Sequence, residues 1–293
     1  MFKGSIPALI TPMSGDGAVD FAAWDRLLDF HLAEGSDAVV VGGTTGESPA
    51  LERAELEELI RRARQRLAGR IPLIAGSGTA STAKSIALSQ AAEAAGADAL
   101  LVVTPYYSRP TQEGLFLHFT AIADAVGIPI VLYNVPGRTA CDMLPETIAR
   151  LSAHPRIVAV KEATGDIERG HEVLRLSRPG FVLLSGDDAT AAVLMRAGAQ
   201  GVISVTANVA PRAMHDLCAA ALSGAHDEAA AIDARLAQLH GSLFVEPNPI
   251  PVKWAVHRMG LIGAALRLPL VPLTAGRRAE VEAAMRSAGV VTG

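Results

Sequence analysis

The sequence predicts a (β/α)8 barrel over residues 1–224, followed by a small C-terminal helical domain over residues 225–293. Three observations carry this expectation. The chain has 293 residues, long for one sandwich or bundle but ordinary for one barrel with an appendage. Half of the residues are hydrophobic, while 19% are charged and 4% aromatic, the balance of a buried parallel sheet wrapped in Ala/Leu-rich helices. Finally, short apolar, β-branched runs alternate with amphipathic helical stretches eight times before the strand runs stop.

The first strand run covers residues 5–10, and apolar spacing over residues 21–34 makes the first helix. Further strands are expected at 38–41, 72–75, 99–103, 129–133, 157–161, 181–185 and 201–204, each followed by a helix. Spacings of this kind suit βαβ crossovers. Eight in series fit a closed barrel better than the alternative, an open doubly wound sheet. From residue 225 onward three helical stretches follow, at 225–244, 250–259 and 277–288, separated by Pro-rich segments at 246–251 and 268–272.

The formal net charge of −4, with both signs mixed along the chain, leaves no basic stripe for nucleic acid and no polybasic membrane anchor. A small-molecule substrate is expected. The first ten residues hold a short apolar run broken by Pro7, too brief for a signal peptide or a spanning helix, so a cytoplasmic location is expected. Cys141 and Cys218 stand far apart without a CxxC partner, which points to neither zinc nor a disulfide framework. The eight histidines show no HExxH or other paired spacing, so a metal-dependent aldolase is not expected.

In a barrel of this kind chemistry sits at the C-terminal ends of the strands, and the unusual residues fall there. Gly42-Gly43-Thr44-Thr45-Gly46-Glu47-Ser48 follows the second strand and Thr104-Pro105-Tyr106-Tyr107 the fourth. The fifth ends at Tyr133 and runs on through Asn134-Val135-Pro136-Gly137-Arg138, and the sixth ends at Lys161. A lysine closing an apolar strand should point into the barrel mouth, where desolvation disfavours the ammonium and favours a nucleophilic amine. Taken alone, Lys161 reads equally well as a salt-bridged or snorkelling lysine. Three hydroxyls at the same rim, Thr44, Tyr107 and Tyr133, tip the reading, because together they form a chain able to carry protons to and from a carbinolamine. Backbone N–H groups of Thr44 and Thr45 suit a carboxylate, and Arg138 suits a second one. A phosphate cradle is the rival for that Gly-rich loop, but no GxxxxGK[ST] pattern is present. Asp187-Asp188 after the seventh strand reads as a helix N-terminus rather than a metal site.

At these residues the chain resembles the dihydrodipicolinate synthase family, within the pyruvate-dependent class I aldolases that include N-acetylneuraminate lyase. The resemblance runs over nearly the whole length through Gly43-Thr44-Thr45-Gly46-Glu47-Ser48, Val103-Thr104-Pro105-Tyr106-Tyr107, Leu132-Tyr133-Asn134-Val135-Pro136-Gly137-Arg138-Thr139, Lys161-Glu162-Ala163-Thr164-Gly165, Ser185-Gly186-Asp187-Asp188 and Asn248-Pro249-Ile250-Pro251-Val252-Lys253-Trp254. It implies a lyase that condenses pyruvate with L-aspartate 4-semialdehyde, the first committed step of the diaminopimelate route to L-lysine. Lys161 would form the Schiff base; Thr44, Tyr107 and Tyr133 would relay protons; Thr45, Arg138, Gly186 and the Ile203 carbonyl would bind substrate. It also implies a homotetramer of two tight dimers, with Tyr107 crossing into the neighbouring subunit's site. A sibling that cleaves a sugar acid would share Lys161 and Tyr133 without needing Arg138. The effector cleft of lysine-sensitive relatives corresponds here to Ser48, Pro49, Arg53, Leu56, Ala80, Lys84 and Tyr106. Sensitive members of the best-known bacterial type carry glutamate in place of Lys84, asparagine in place of Ala80 and histidines in place of Arg53 and Leu56, so insensitivity to L-lysine is expected.

Overall fold

The apolar runs pair as one parallel sheet. In the computed structural model, which describes residues 2–291, the strands are β1 (Gly4–Pro7), β2 (Val39–Val41), β3 (Leu73–Gly76), β4 (Ala99–Val103), β5 (Ile130–Asn134), β6 (Ile157–Glu162), β7 (Val182–Ser185) and β8 (Gly201–Ser204). Their order is β1-β8-β7-β6-β5-β4-β3-β2. The ring closes between its two ends through a parallel bridge of Ala8 with Val40, where the Leu9 N–H donates to the Val40 carbonyl at 2.9 Å. This is the expected (β/α)8 barrel. The helices around it are α1 (Phe21–Ala33), α2 (Arg53–Leu67), α3 (Thr82–Ala94), α4 (Gln112–Asp124), the short α5 (Pro136–Thr139), α6 (Pro145–Ser152), α7 (Ile167–Leu176), α8 (Asp188–Arg196) and α9 (Pro211–Ser223). Then come α10 (His226–Ser242), α11 (Ile250–Arg258) and α12 (Ala275–Ser287), with α10 packed on α8, α9 and α12.

Short polar residues begin the helices. Asp20, Ser81, Thr111, Asp166 and Asp187 each accept a backbone N–H from the first turn of α1, α3, α4, α7 and α8, satisfying donors that the helix itself cannot. The first strand stops at Pro7 rather than at residue 10, because beyond it only Ala8 bridges to a neighbour. The single-turn 3-10 helix Ser48–Ala50 and α5 lie in loops whose apolar spacing is too short to register as a helix.

Side chains alternate between two apolar layers. Ile6, Val40, Ile74, Leu101, Val131 and Ile203 fill the barrel, while Ile130, Leu132, Ile157 and Val160 face the helices. In β6 the alternation breaks. Val158 and Ala159 both join the interior, at a register shift where Ile130 pairs with Ile157 but Val131 pairs with Ala159. One extra residue thus bulges into β6 and reverses the phase of everything after it.

His31 of α1 is fully buried, its Nδ1 3.0 Å from Ser36 Oγ. Burial pushes its pKa down to about 3. With the folded value below the ordinary 6.5, the unfolded chain takes a proton that the folded chain refuses, so stability is full above that pH and falls as the pH drops toward the folded value. Denaturant titrations between pH 6 and 4 should show a His31→Gln variant whose stability falls less steeply than the parent's, by up to about 1.4 kcal/mol per pH unit. Parallel slopes for the two chains would contradict this.

Candidate active site

The bulge in β6 turns Lys161 inward. It sits in register with Tyr133 across the β5–β6 ladder, only 6% exposed, with Nζ 4.2 Å from the centroid of the Tyr133 ring. Gly186, just past β7, lies against the lysine stem: a Cβ built on it would fall 3.0 Å from Lys161 Cε and 2.5 Å from the Ala163 Cβ. Only a residue without a side chain leaves room there. Ile203 is buried on β8. Since the Ser204 carbonyl accepts from Ala8 on the β1 side, the Ile203 carbonyl faces the β7 side, where the ladder has already ended at Ser185–Val202. An unladdered carbonyl at the mouth is an acceptor available to a ligand.

Behind Lys161, Glu162 faces out of the barrel and is buried. Asn134 Nδ2 donates to Glu162 at 3.0 Å and to Asp142 at 2.9 Å, and Asp142 is paired with Arg169 at 2.7 Å. Burial raises the Glu162 pKa, opposed by the Asn134 and Thr164 hydrogen bonds. Asn134 and Glu162 are opposite one another in the ladder, so their contact ties together the tips of the two strands that carry Tyr133 and Lys161.

The Gly-rich loop after β2 forms a tight turn, with the Gly46 and Glu47 amides donating to the Gly43 and Thr44 carbonyls, each at 3.0 Å. Glu47 has φ of 57°, a left-handed conformation that costs a non-glycine residue about 1 kcal/mol or more and persists only where its surroundings hold it. Lys253 of α11 holds it here, Nζ to Oε1 at 2.5 Å. Thr45 is buried, and its Oγ1 accepts from Asn248 Nδ2 at 3.0 Å. Arg138, on α5, is exposed and donates to the Asn248 carbonyl at 3.3 Å. Asn248 therefore touches both expected carboxylate-binding residues.

A cavity of about 370 Å³ opens at this rim, lined by Thr44, Tyr133 and Arg138 together with Ser48, Pro49, Arg53, Leu56 and Tyr106; Lys161, Thr45, Gly186 and Ile203 are not among its lining residues. Ala80 and Lys84 lie outside it, exposed at the start of α3. Tyr107 is not brought to Lys161. It is 93% exposed, with φ of 71°, and its side chain projects from the molecule. Asp187 caps α8, the helix-terminal role expected of it, whereas Asp188 does not cap α8 but ties it to the end of β8, accepting the Val205 and Thr206 amides at 2.9 Å each. Among the described residues no cluster of three His, Cys, Asp or Glu side chains could hold a metal, and Cys141 and Cys218 are buried and unpaired.

Residue-by-residue reading singled out Lys161, Tyr133, Thr44 and Arg138 but overlooked Glu47, Lys253, Asn248 and the Asn134–Glu162 pair. The one signal available was Lys253 itself, a lysine set among Val252, Trp254 and Ala255 on an apolar helix.

Over residues 1–288 the chain matches the dihydrodipicolinate synthetase family. The chain belongs to this family. Among curated relatives, the 4-hydroxy-tetrahydrodipicolinate synthase of Stutzerimonas stutzeri strain A1501 is 56% identical over 291 residues, covering 99% of this chain and all of its own length. A dihydrodipicolinate synthase from Acinetobacter baumannii, described as chloride-inhibited and solved in complex with pyruvate, superposes with a TM-score of 0.98 at 46% identity, covering 99% of this chain and 100% of its own. Another from Cyanidioschyzon merolae, solved with lysine bound, gives 0.96 at 38% identity and covers 99% of each chain. Family membership accounts for the barrel and the rim motifs together. No helix of the described residues is long and apolar enough to cross a membrane.

Proposed function

We propose that this chain is a 4-hydroxy-tetrahydrodipicolinate synthase, condensing pyruvate with L-aspartate 4-semialdehyde through an imine on Lys161. The observation that carries the reading is a buried lysine at the barrel mouth, with Nζ 4.2 Å from the centre of the Tyr133 ring. The free amine of Lys161 adds to the pyruvate ketone, and the carbinolamine loses water to give the imine. Loss of a methyl proton gives the enamine, whose carbon attacks the aldehyde. The amine of the condensed product then attacks the imine carbon and expels Lys161 as the ring closes. Tyr133 and Thr44, with Tyr107 from a neighbouring subunit, pass the protons. Thr45 and its loop hold the pyruvate carboxylate, Arg138 the carboxylate of the aldehyde, and Gly186 and the Ile203 carbonyl complete the pocket. No cofactor is required, because the imine itself is the electron sink.

The family resemblance supports a homotetramer of two tight dimers in the cytoplasm, and the exposure of Tyr107 fits its reaching a neighbouring subunit's site, each dimer completing two relays. Turnover tests the function directly: purified chain, pyruvate and aspartate semialdehyde should yield the cyclic product, whereas cleavage of a sugar acid with no condensation would assign the chain to a sibling aldolase.

The cleft beside the site is a poor one for L-lysine. Leu56 in the cavity and Ala80 beyond it offer no polar side chain, Arg53 is already paired with Glu57 at 2.7 Å, and Lys84, outside the cavity at the start of α3, adds a like charge to the approach of a cationic amino acid. Hydrogen bonds to charged groups contribute about 1.5–3 kcal/mol each, so lacking two of them weakens binding about a hundredfold or more. Initial rates at sub-saturating pyruvate should be unmoved by L-lysine up to about millimolar concentration. Strong inhibition below that level would mean that other contacts recognise lysine.

A further inference from the structure

Lys253 and Glu47 form an ion pair sealed from solvent, with side chains 0% and 1% exposed and Nζ 2.5 Å from Oε1. The other Glu47 oxygen accepts the Arg267 amide at 3.0 Å. Burial drives the Lys253 pKa down, against the pull of Glu47. Such a pair adds little stability over packed apolar side chains, because both charges lose their water. What it does specify is geometry. Glu47 ends the turn that carries Thr44 and Thr45, its own amide bonded to the Thr44 carbonyl at 3.0 Å. The turn is gripped at two further points: Thr11 Oγ1 donates to the Gly46 carbonyl at 2.7 Å, and Asn248 donates to Thr45 Oγ1 at 3.0 Å. Asn248, Lys253 and Arg267 all belong to the segment after the barrel.

We propose that Glu47 and Lys253 are positioning residues for the reaction: their pairing holds the left-handed turn so that Thr44 and Thr45 meet pyruvate, and the C-terminal region thereby sets the geometry of the barrel rim. This rests on the reading that Lys161 forms an imine with pyruvate. The pair touches no substrate. It acts through the Glu47 backbone, and the loss of one charge lets the turn relax while β2 and α2 stay packed.

The test compares Glu47→Gln with Leu67→Ala, a core change at the far end of α2 from the rim, where Leu67 is 1% exposed. The rate at which borohydride traps pyruvate on Lys161, per folded chain, is read beside the thermal midpoint and both KM values. Glu47→Gln should slow trapping and raise the KM for pyruvate about tenfold, as a displacement below an ångström at a reacting centre does, with the KM for the aldehyde within about twofold. Leu67→Ala should lose thermal midpoint and trap at the parental rate. If Glu47→Gln does not fold, the double variant E47Q/K253M, which leaves no unpaired buried charge, should fold and still trap about tenfold slower. Trapping at the parental rate in the folded Glu47 variant would overturn the proposal, as would equal slowing in Leu67→Ala. A parent chain that traps no pyruvate would overturn the Lys161 reading and this proposal with it.

Discussion

Replacing Lys161 with alanine should cut turnover by at least about a thousandfold and abolish the borohydride-stable pyruvate adduct, because the nucleophile proposed to form the covalent intermediate would be gone. The chain offers a clean internal comparison, since its lysines are Lys3, Lys84, Lys161 and Lys253 alone. Lys3 and Lys84 are exposed on the surface. Lys253 is sealed and held by Glu47 at 2.5 Å, so no substrate reaches it. Only Lys161 is both screened from bulk water and placed at an open rim beside a tyrosine. Peptide mass mapping after reduction should therefore find the adduct on Lys161 alone. An adduct on another lysine, or undiminished trapping in Lys161→Ala, would remove the covalent mechanism. The folded state should survive the substitution, because the apolar stem of one mouth-facing lysine contributes little to a core built by two complete layers.

Gly186→Ala should have the second largest effect, and through the same lysine. The added Cβ would lie 2.5 Å from Ala163 Cβ and 3.0 Å from Lys161 Cε, well inside van der Waals contact. Gly186 has little room to retreat: its amide donates to the Glu162 carbonyl at 2.7 Å, and Ser185 Oγ donates to the Asp187 carbonyl at 2.8 Å. Either β7 shifts away from β6 or the Lys161 stem swings aside. Both move Nζ from its place by Tyr133, and a misplacement of about 1 Å costs about a hundredfold in rate. We expect kcat/KM for pyruvate to fall by that factor, with a loss of stability of about 1–3 kcal/mol from overpacking. An alanine variant within a few-fold of the parent would show that the lysine stem adapts without displacing its amine.

The chain's own pattern determined the architecture and marked most of the candidate residues of the rim. Eight apolar runs at crossover spacing favour burial around a common ring over an open sheet, and Asp20, Ser81, Thr111, Asp166 and Asp187 mark helix starts because their side chains satisfy free amides. Lys161, Tyr133, Thr44 and Arg138 were legible because polar residues ending buried strands, or following them, stand out. Whether those side chains face each other was decided elsewhere. Counted in twos from Ile157, which faces the helices, Lys161 would face the helices as well; the extra residue at Val158–Ala159 turns it inward. A bulge arises from the pairing of two strands, and β6 alone carries no mark of it. Tyr107 likewise reads as a member of the relay, yet the turn it occupies carries it out of its own site to 93% exposure. Glu47 and Thr45 meet Lys253 and Asn248 across 206 and 203 residues of chain. Contacts at that separation leave no periodicity behind, since they depend on where the whole barrel delivers its C-terminal segment, and that is a property of the closed structure rather than of any stretch of sequence.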